Sequence, residues 1–584
     1  MSGICGWVGD ADPEILDPML DAIAYRGDQV ETLHLPGVAL GYRWWGGRPG
    51  KSGGIYREGS HAVACAGTLA PPIAAPAAAI LERLTASPPA LDDLDGAFGA
   101  AWWDGEERRL TLIRDPFGVR SLYYVEYEGV FYFATELKQL LAIPRLPVAV
   151  NPSAIHKYLT FSFVPGEDVP VVDVKRLLPG RIATWQDGRL TTTPYFTLQE
   201  ELNPAFEDQR AAVAEIDRLC RDAVTRRLNG EHEVGLFLSG GIDSSGVGLW
   251  LRQQDIAVRA FSLDFGPQSV EREQAQAVAD ELGAPLDFVP VGGADVGAIL
   301  HDLVWRLDLP FGDPVTGPQY LLGRAAREAG LDAVFNGEGG DQLFGGWTLK
   351  PMIAAELYAG LYGDGSREED YLRSYHRFYG LEDRLYTPDF AGQVGPIGQR
   401  RTLLRPYLTE GGGADAFLNR IRLADISLKG SQSILPRAER MSNGWGLDLR
   451  VPLFDRRLAE TSFSLPPGLK LHGASEKYIL KRVLQRHLPR EIVWRRKFGM
   501  SVPITDWVLG PLALMLEELL GDRAVAGRGM FQPGYVAQLR SGLNAPQEVR
   551  RRRVGERLWT LAMLEAWMRV FIDGRGRRPA GLTA

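Results

Sequence analysis

The 584-residue chain is too long for one ordinary core, and its 45% hydrophobic and 24% charged residues match globular averages, so two or more folded domains are expected and disorder is not favoured. With 65 Lys and Arg against 73 Asp and Glu, the formal charge is −8, which argues against a general nucleic-acid or anionic-membrane surface. Cys5, Cys65 and Cys220 form no C-x-x-C pair, and no basic leader or 18-residue apolar run occurs. Neither a disulfide framework, a structural zinc site nor a membrane span is therefore expected, and a cytoplasmic location is.

In chain order, the first 195 or so residues read as short alternating segments broken by Gly and Pro: Gly37–Arg43, Gly99–Trp103, Arg109–Arg114, Ser121–Glu126 and Val130–Ala134. They predict a layered, strand-rich domain. The Ala/Pro-rich stretch Pro71–Pro89 has room for one short helix, Ala77–Leu84. The composition turns polar and acidic at Leu198–Gln209 and a helical pattern follows at Arg210–Leu228, which places a boundary between a domain at 1–200 and one at 205–575. Beyond it, strand-like Val234–Leu238, Val258–Phe265, Leu286–Val291 and Ala333–Asn336 alternate with helical Ser244–Gln253 and Glu271–Leu282. That alternation predicts a parallel sheet covered on both faces. Helices dominate from Leu349 onward, and Arg550–Arg553 reads as a solvated helical face.

The leading chemical signal is Leu238–Ser245 (LSGGIDSS). A buried strand runs into Gly240 and Gly241, which let the backbone approach an anion closely. The N–H groups of the turn and the following helix start then point at that anion. Ser239, Ser244 and Ser245 add hydroxyl donors, and Asp243 offers a carboxylate for a magnesium ion bridging phosphates. An ordinary strand–turn–helix corner uses the same residue types, but paired glycines flanked by hydroxyls favour phosphate. A second Gly cluster, Asn336–Gly346 (NGEGGDQLFGG), also ends a strand, and ligand sites in open α/β sheets form at carboxyl ends of strands. Asp341 is a second candidate magnesium ligand and Glu338 a candidate base or amine-positioning group. Lys497, in Trp494–Met500 (WRRKFGM), offers fixed positive charge for a departing phosphate; a solvated basic run is the plainer reading of that segment.

The first loop is not a Walker pattern; it resembles the PP-loop of ATP pyrophosphatases, which cleave ATP at the α-phosphate. With the second cluster, Gln432–Met441 (QSILPRAERM), Arg450–Asp455 (RVPLFD) and Glu476–Arg482 (EKYILKR), it is similar to asparagine synthetases over nearly the whole chain. The resemblance implies a PP-loop α/β domain with a helical extension, which binds ATP and Mg2+, adenylates a carboxylate and couples it to an amine. It further implies that Leu238, Leu263, Asn336 and Gly337 line the adenosine pocket, that Lys477 lies on a helix near the site, and that Lys497 meets pyrophosphate and the developing oxyanion.

The N-terminal part resembles class II glutamine amidotransferases, through Leu94–Asp104 (LDGAFGAAWWD), Arg114–Tyr124 (RDPFGVRSLYY) and Phe133–Lys138 (FATELK). That implies an Ntn-type αββα sandwich. Those enzymes use an N-terminal cysteine whose own amine serves as its base. Here Ser2 holds that position, Cys5 lies within the strand, and Ala66–Leu69 replaces the family's Asn-Gly-Glu turn. The acidic glutamine clamp is replaced by Pro71–Ala86, which contains no Asp. Tyr25–Asp28 keeps part of its pattern, and Arg43 stands as a remnant of the substrate-binding arginine. These losses predict no glutamine hydrolysis.

A glutamine-independent amide synthetase is the leading expectation, with a small-molecule or peptide carboxylate as one substrate and an amine from elsewhere. Lasso-peptide cyclases, many of which begin Met-Ser-Gly-Ile, are one such group. β-Lactam synthetases fit less well because they carry tyrosine where Glu338 stands. Against the lasso reading, Arg437–Met441 and Phe498–Trp507 resemble ordinary asparagine synthetases. Asparagine formation from aspartate with ammonia or glutamine is the alternative, and a catalytically dead interaction scaffold is a third. A homodimer or pathway partner proteins are compatible with the sequence.

Overall fold

The structure, a computed structural model, describes residues 2–47, 53–346, 367–395, 399–410, 412–495, 501–544 and 548–579. Its strands in chain order are β1 Ser2–Val8, β2 Gln29–Leu35, β3 Val38–Trp44, β4 Gly53–Glu58, β5 His61–Leu69, β6 Gly96–Asp104, β7 Arg109–Arg114, β8 Tyr123–Tyr127 and β9 Val130–Ala134. There follow β10 Lys175–Arg176, β11 Arg181–Gln186, β12 Arg189–Pro194, β13 Glu233–Phe237, β14 Ala257–Asp264, β15 Leu286–Pro290, β16 Ala333–Phe335 and β17 Asp448–Arg450.

Two six-stranded sheets form the N-terminal layers, ordered β10-β8-β9-β1-β3-β2 and β12-β11-β7-β6-β5-β4. Their facing sides share one core, to which Ile4, Leu40, Ala64, Ala101, Leu112 and Phe133 contribute from alternate strand positions. This is the period-two pattern that a half-buried strand requires. The helix Pro76–Thr85 covers the outer face of the second sheet through Ala77, Ile80, Leu81 and Leu84. Leu16–Asp21 and Leu137–Leu141 pack on the first. The result is the αββα sandwich that the resemblance implied.

The third sheet runs β15-β14-β13-β16-β17, and every neighbouring pair is parallel. Its central strand β13 (EVGLF) is buried at Val234, Gly235 and Leu236 because helices lie on both faces. Ile242–Arg252 follows β13, Arg272–Leu282 follows β14 and Thr316–Glu328 precedes β16. The edge strand β17 lies far along the chain and pairs with β16 from Ala333↔Asp448 to Phe335↔Arg450. Helices make up most of the remainder, including Glu548–Met568, whose Arg552 and Arg553 are exposed as a solvated face should be. Among the described residues no helix is long and apolar enough to cross a membrane.

Candidate active site

Parallel pairing sets the carboxyl ends of β13, β14 and β16 side by side, with Phe237 opposite Phe261 and Leu236 opposite Phe335. The two Gly clusters leave this one edge and interlock. At Gly240, φ is +65° and a Cβ would lie 2.7 Å from the Ala275 nitrogen, so only glycine fits. A Cβ at Gly337 would come within 2.4 Å of the Ser244 nitrogen, and one at Gly340 within 2.1 Å of Asp243 Oδ1. The second cluster is glycine-rich because it presses its backbone against the first.

Within the loop the hydroxyls knit the turn together. Gly241 N–H donates to Ser239 Oγ at 3.2 Å, and Ser244 Oγ donates to the Gly241 carbonyl at 3.1 Å. The helix Ile242–Arg252 begins without a side-chain cap among the described residues. Its first N–H groups and its dipole therefore face the chamber.

That chamber has a volume of about 420 Å³. Leu238, Ser239, Gly241, Asp243, Ser244, Leu263, Asn336, Gly337, Glu338, Asp341 and Lys477 all line it. Gly240 and Ser245 are not in its lining; Gly240 shapes the turn, and Ser245 turns its hydroxyl onto the Gly241 carbonyl at 2.8 Å. Lys497 lies outside the described residues. Lys477 is not on a helix, as the resemblance implied, but caps the helix Tyr478–Leu484 with its own backbone left-handed at φ 52°. From there its buried ammonium reaches Asp243 and, at 2.7 Å, Asp341 Oδ1. Burial works against the charge, yet these two carboxylates hold the Lys477 pKa above its ordinary value.

Sequence reasoning assigned nothing to the opposite wall. There Arg437 Nη1 donates to Asp313 Oδ2 at 2.6 Å, and Gln319 and Lys429 are among the lining residues. Burial pushes Asp313 up, but Arg437 outweighs it and holds the carboxyl below its usual range. Burial, aided by Asp341, Asp243 and Asp313 and opposed by Arg437, raises the Glu338 carboxyl. Arg437 lies inside the recognised QSILPRAERM segment, whereas Asp313 carried only the look of a Gly-Asp-Pro turn.

Ser2, at the position where the resemblance places the nucleophile, is buried. It is 1% exposed in β1, and its Oγ accepts the Gly67 N–H at 3.0 Å. Ala66–Leu69, set against the family's turn in the sequence, continues β5 and pairs with β6 from Ala66↔Gly99 to Leu69↔Gly96. Arg43 donates to the Gly27 and Leu20 carbonyls at 2.8 and 3.1 Å and to Asp21. Burial pushes the Cys5 thiol well up and Cys65 to about 12, so neither is a thiolate at neutral pH.

Comparison with known proteins agrees with this architecture. The asparagine synthase family model matches residues 215–569, and a glutamine amidotransferase domain model matches residues 82–196. Asparagine synthetase [glutamine-hydrolyzing] 1 of Bacillus subtilis is 26% identical over 83% of this chain and 79% of its own. A putative asparagine synthetase [glutamine-hydrolyzing] of Mycobacterium tuberculosis is 28% identical over 83% and 78%. Amidase chyE of Penicillium rubens is 25% identical over 75% and 74%. The chain belongs to the asparagine synthase family, as a ligase that forms carbon–nitrogen bonds with ATP.

Proposed function

We propose that this ligase adenylates a carboxylate and couples it to an amine without a glutaminase of its own, releasing AMP and pyrophosphate. What supports the reading is a chamber lined by both Gly clusters together with a buried Ser2 whose Oγ takes up the Gly67 N–H. Its relatives are named as glutamine-hydrolyzing, and this chain departs from the amidotransferase pattern at Ser2, Ala66 and Thr68. The N-terminal layers then form a supporting domain at 1–200, and the synthetase domain occupies 205–575.

In this reading the ATP phosphates lie over the loop Leu238–Ser245 and the start of its helix. A carboxylate oxygen attacks the α-phosphorus and pyrophosphate leaves. The amine then attacks the acyl carbon, AMP leaves, and Glu338 takes or directs the proton the amine loses. Asp243 and Asp341 already converge on one cation, a donor set that suits magnesium, since it takes one or two carboxylates beside phosphate oxygens. Bound there, the ion would neutralise charge on the departing pyrophosphate. Lys477 and Lys497 supply the fixed positive charge.

The amine comes with the substrate or as free ammonia. Macrolactam closure of a lasso-peptide type is the form that the opening Met-Ser-Gly-Ile favours. Asparagine formation from aspartate and ammonia is the second reading, favoured by the Arg437–Asp313 pair, whose opposite charges suit a small zwitterion. AMP and pyrophosphate release from Mg-ATP, with aspartate plus glutamine beside aspartate plus ammonia, tests both. Ammonia-only turnover supports the second reading, and turnover with glutamine overturns the loss of glutaminase. Silence with both, together with turnover of a peptide carrying its own amine, supports the first. Absence of any ATP–pyrophosphate exchange leaves the scaffold reading.

A further inference from the structure

One continuous stretch, the π-helix Asp425–Ile434 and the helix Leu435–Asn443, has two faces. Lys429, Ile434 and Arg437 look into the chamber. Gln432, Glu439 and Arg440 look the other way, each no more than 4% exposed, into the N-terminal layers. Gln432 Oε1 accepts from Gly166 N–H and from Arg176 Nη2, both at 2.7 Å. Glu439 accepts from Arg26 Nη1 at 2.8 Å, from Arg26 Nη2 at 3.3 Å and from Arg120. Arg440 Nη2 donates to Tyr123 Oη at 3.2 Å, and its Nη1 lies 3.2 Å from Asp308 and 3.7 Å from Glu136.

Such contacts are stiff because every partner is desolvated: a guanidinium that lost its carboxylate here would remain buried without a counter-charge. Burial pushes Glu439 up, yet Arg26 and Arg120 outweigh it and hold the carboxyl ionised. A π-helix departs from regular i→i−4 pairing and persists where other contacts define it. The loop Leu238–Ser245 is held differently, by β13 and by the glycines of the second cluster. The walls meet where Gln342 of the second cluster donates through Nε2 to Asp425 Oδ2 at 3.1 Å, at the start of the π-helix, while the far half of the stretch is held from the N-terminal layers.

We propose that the N-terminal layers set the position of Arg437, with Arg26, Arg120 and Arg176 as positioning residues that act through Glu439 and Gln432. This rests on the reading that the carboxylate acceptor occupies the wall at Arg437. The N-terminal layers thus have a role in acceptor binding.

The test uses the full chain with Gln432→Leu, which removes the acceptor for Gly166 and Arg176, and Gln432→Glu, which keeps one. Three readouts are taken: hydrogen–deuterium exchange of peptides covering 425–443 and 242–252, calorimetric titration with magnesium α,β-methylene-ATP, and AMP formation with aspartate and ammonium. For Gln432→Leu we expect exchange in 425–443 to rise about tenfold, with 242–252 and nucleotide affinity unchanged. The aspartate KM rises with little change in kcat, and Gln432→Glu restores most of the loss. Unchanged exchange in 425–443, or equal loosening of both segments with loss of nucleotide affinity, overturns the proposal. If the unsubstituted chain makes no AMP from aspartate, the acceptor reading fails at that point, while exchange and titration still decide the support of the wall. The double variant Arg26→Gln, Arg120→Gln repeats the comparison through Glu439.

Discussion

Lys477 Nζ lies 2.7 Å from Asp341 Oδ1 and also meets Asp243, so one ammonium joins the two Gly clusters. It does so from a left-handed backbone that a non-glycine residue adopts at a conformational cost. Replacing it leaves two carboxylates facing each other without the ammonium between them. Lys477→Met is expected to lower the thermal midpoint in metal-free buffer, and millimolar magnesium is expected to recover most of the drop. Calorimetric titration with manganese checks the same point, with tighter binding expected once the competing ammonium is gone. Equal or weaker manganese binding would show that lysine and metal do not share these carboxylates.

The contact between the clusters predicts which small substitutions are tolerated. A Cβ at Gly340 meets Asp243 Oδ1 at 2.1 Å, and one at Gly346 meets Asp341 Oδ1 at 1.9 Å, whereas one at Gly468 meets nothing within 4 Å. Gly340→Ala and Gly346→Ala displace the carboxylates without emptying any core. A misplacement of about 1 Å costs roughly 100-fold in rate, so ATP–pyrophosphate exchange should fall on that scale while the thermal midpoint stays close to that of Gly468→Ala. Exchange within a few-fold of the parent would remove both aspartates from the reaction.

Glu439 gives the chain a defined acid sensitivity. Its carboxyl is held below the ordinary range in the folded state, so the unfolded chain binds the proton more readily. The stabilisation is therefore fully present above the unfolded value of about 4.3, and is lost as pH falls through the folded value. Removing one member of a buried pair costs about 3–5 kcal/mol. Glu439→Gln should lower the urea midpoint strongly at neutral pH and progressively less below about pH 4. A gap between variant and parent that stays constant with pH would contradict the linkage.

Restoring one atom at residue 2 is not expected to restore glutamine hydrolysis. In Ser2→Cys the Gly67 N–H still faces residue 2, Ala66 and Thr68 still replace the polar turn, and Arg43 remains bound to Gly27 and Leu20. Glutamate release from glutamine should stay at the level of the parent. Release above it would mean that the side chain at position 2 was the single lesion.

The sequence made the glycine turn Leu238–Ser245 and four of the five parallel strands readable, because each of those strands is a short apolar run bounded by turn or helix signals. It did not reveal β17: β16 is as short but is apolar and ends at a Gly cluster, whereas Asp448–Arg450 carries two charges and no such marker. The resemblance singled out Lys477 but set it on a helix, and only the left-handed backbone at 477 shows how it is aimed at the carboxylates. Asp313, Arg437 and Glu439 were harder still. A charged residue defaults to the surface in any reading from composition; Arg437 and Glu439 are buried beside Asp313, Arg26 and Arg120, which neutralise them, while Asp313 itself stays half-exposed. Such pairs join segments hundreds of residues apart, beyond the reach of local pattern.

Arg26 and Glu439 are separated by 413 residues. At ordinary translation speeds the ribosome needs roughly 20–80 s to cover that interval. In its later part, once the strands up to Pro194 have been made and have left the exit tunnel, Arg26, Arg120 and Arg176 still await the helix that will satisfy them. The first part of the polypeptide to emerge is thus the last to be completed, and its newborn form depends on solvent or a chaperone to shield the surface that Gln432, Glu439 and Arg440 later cover.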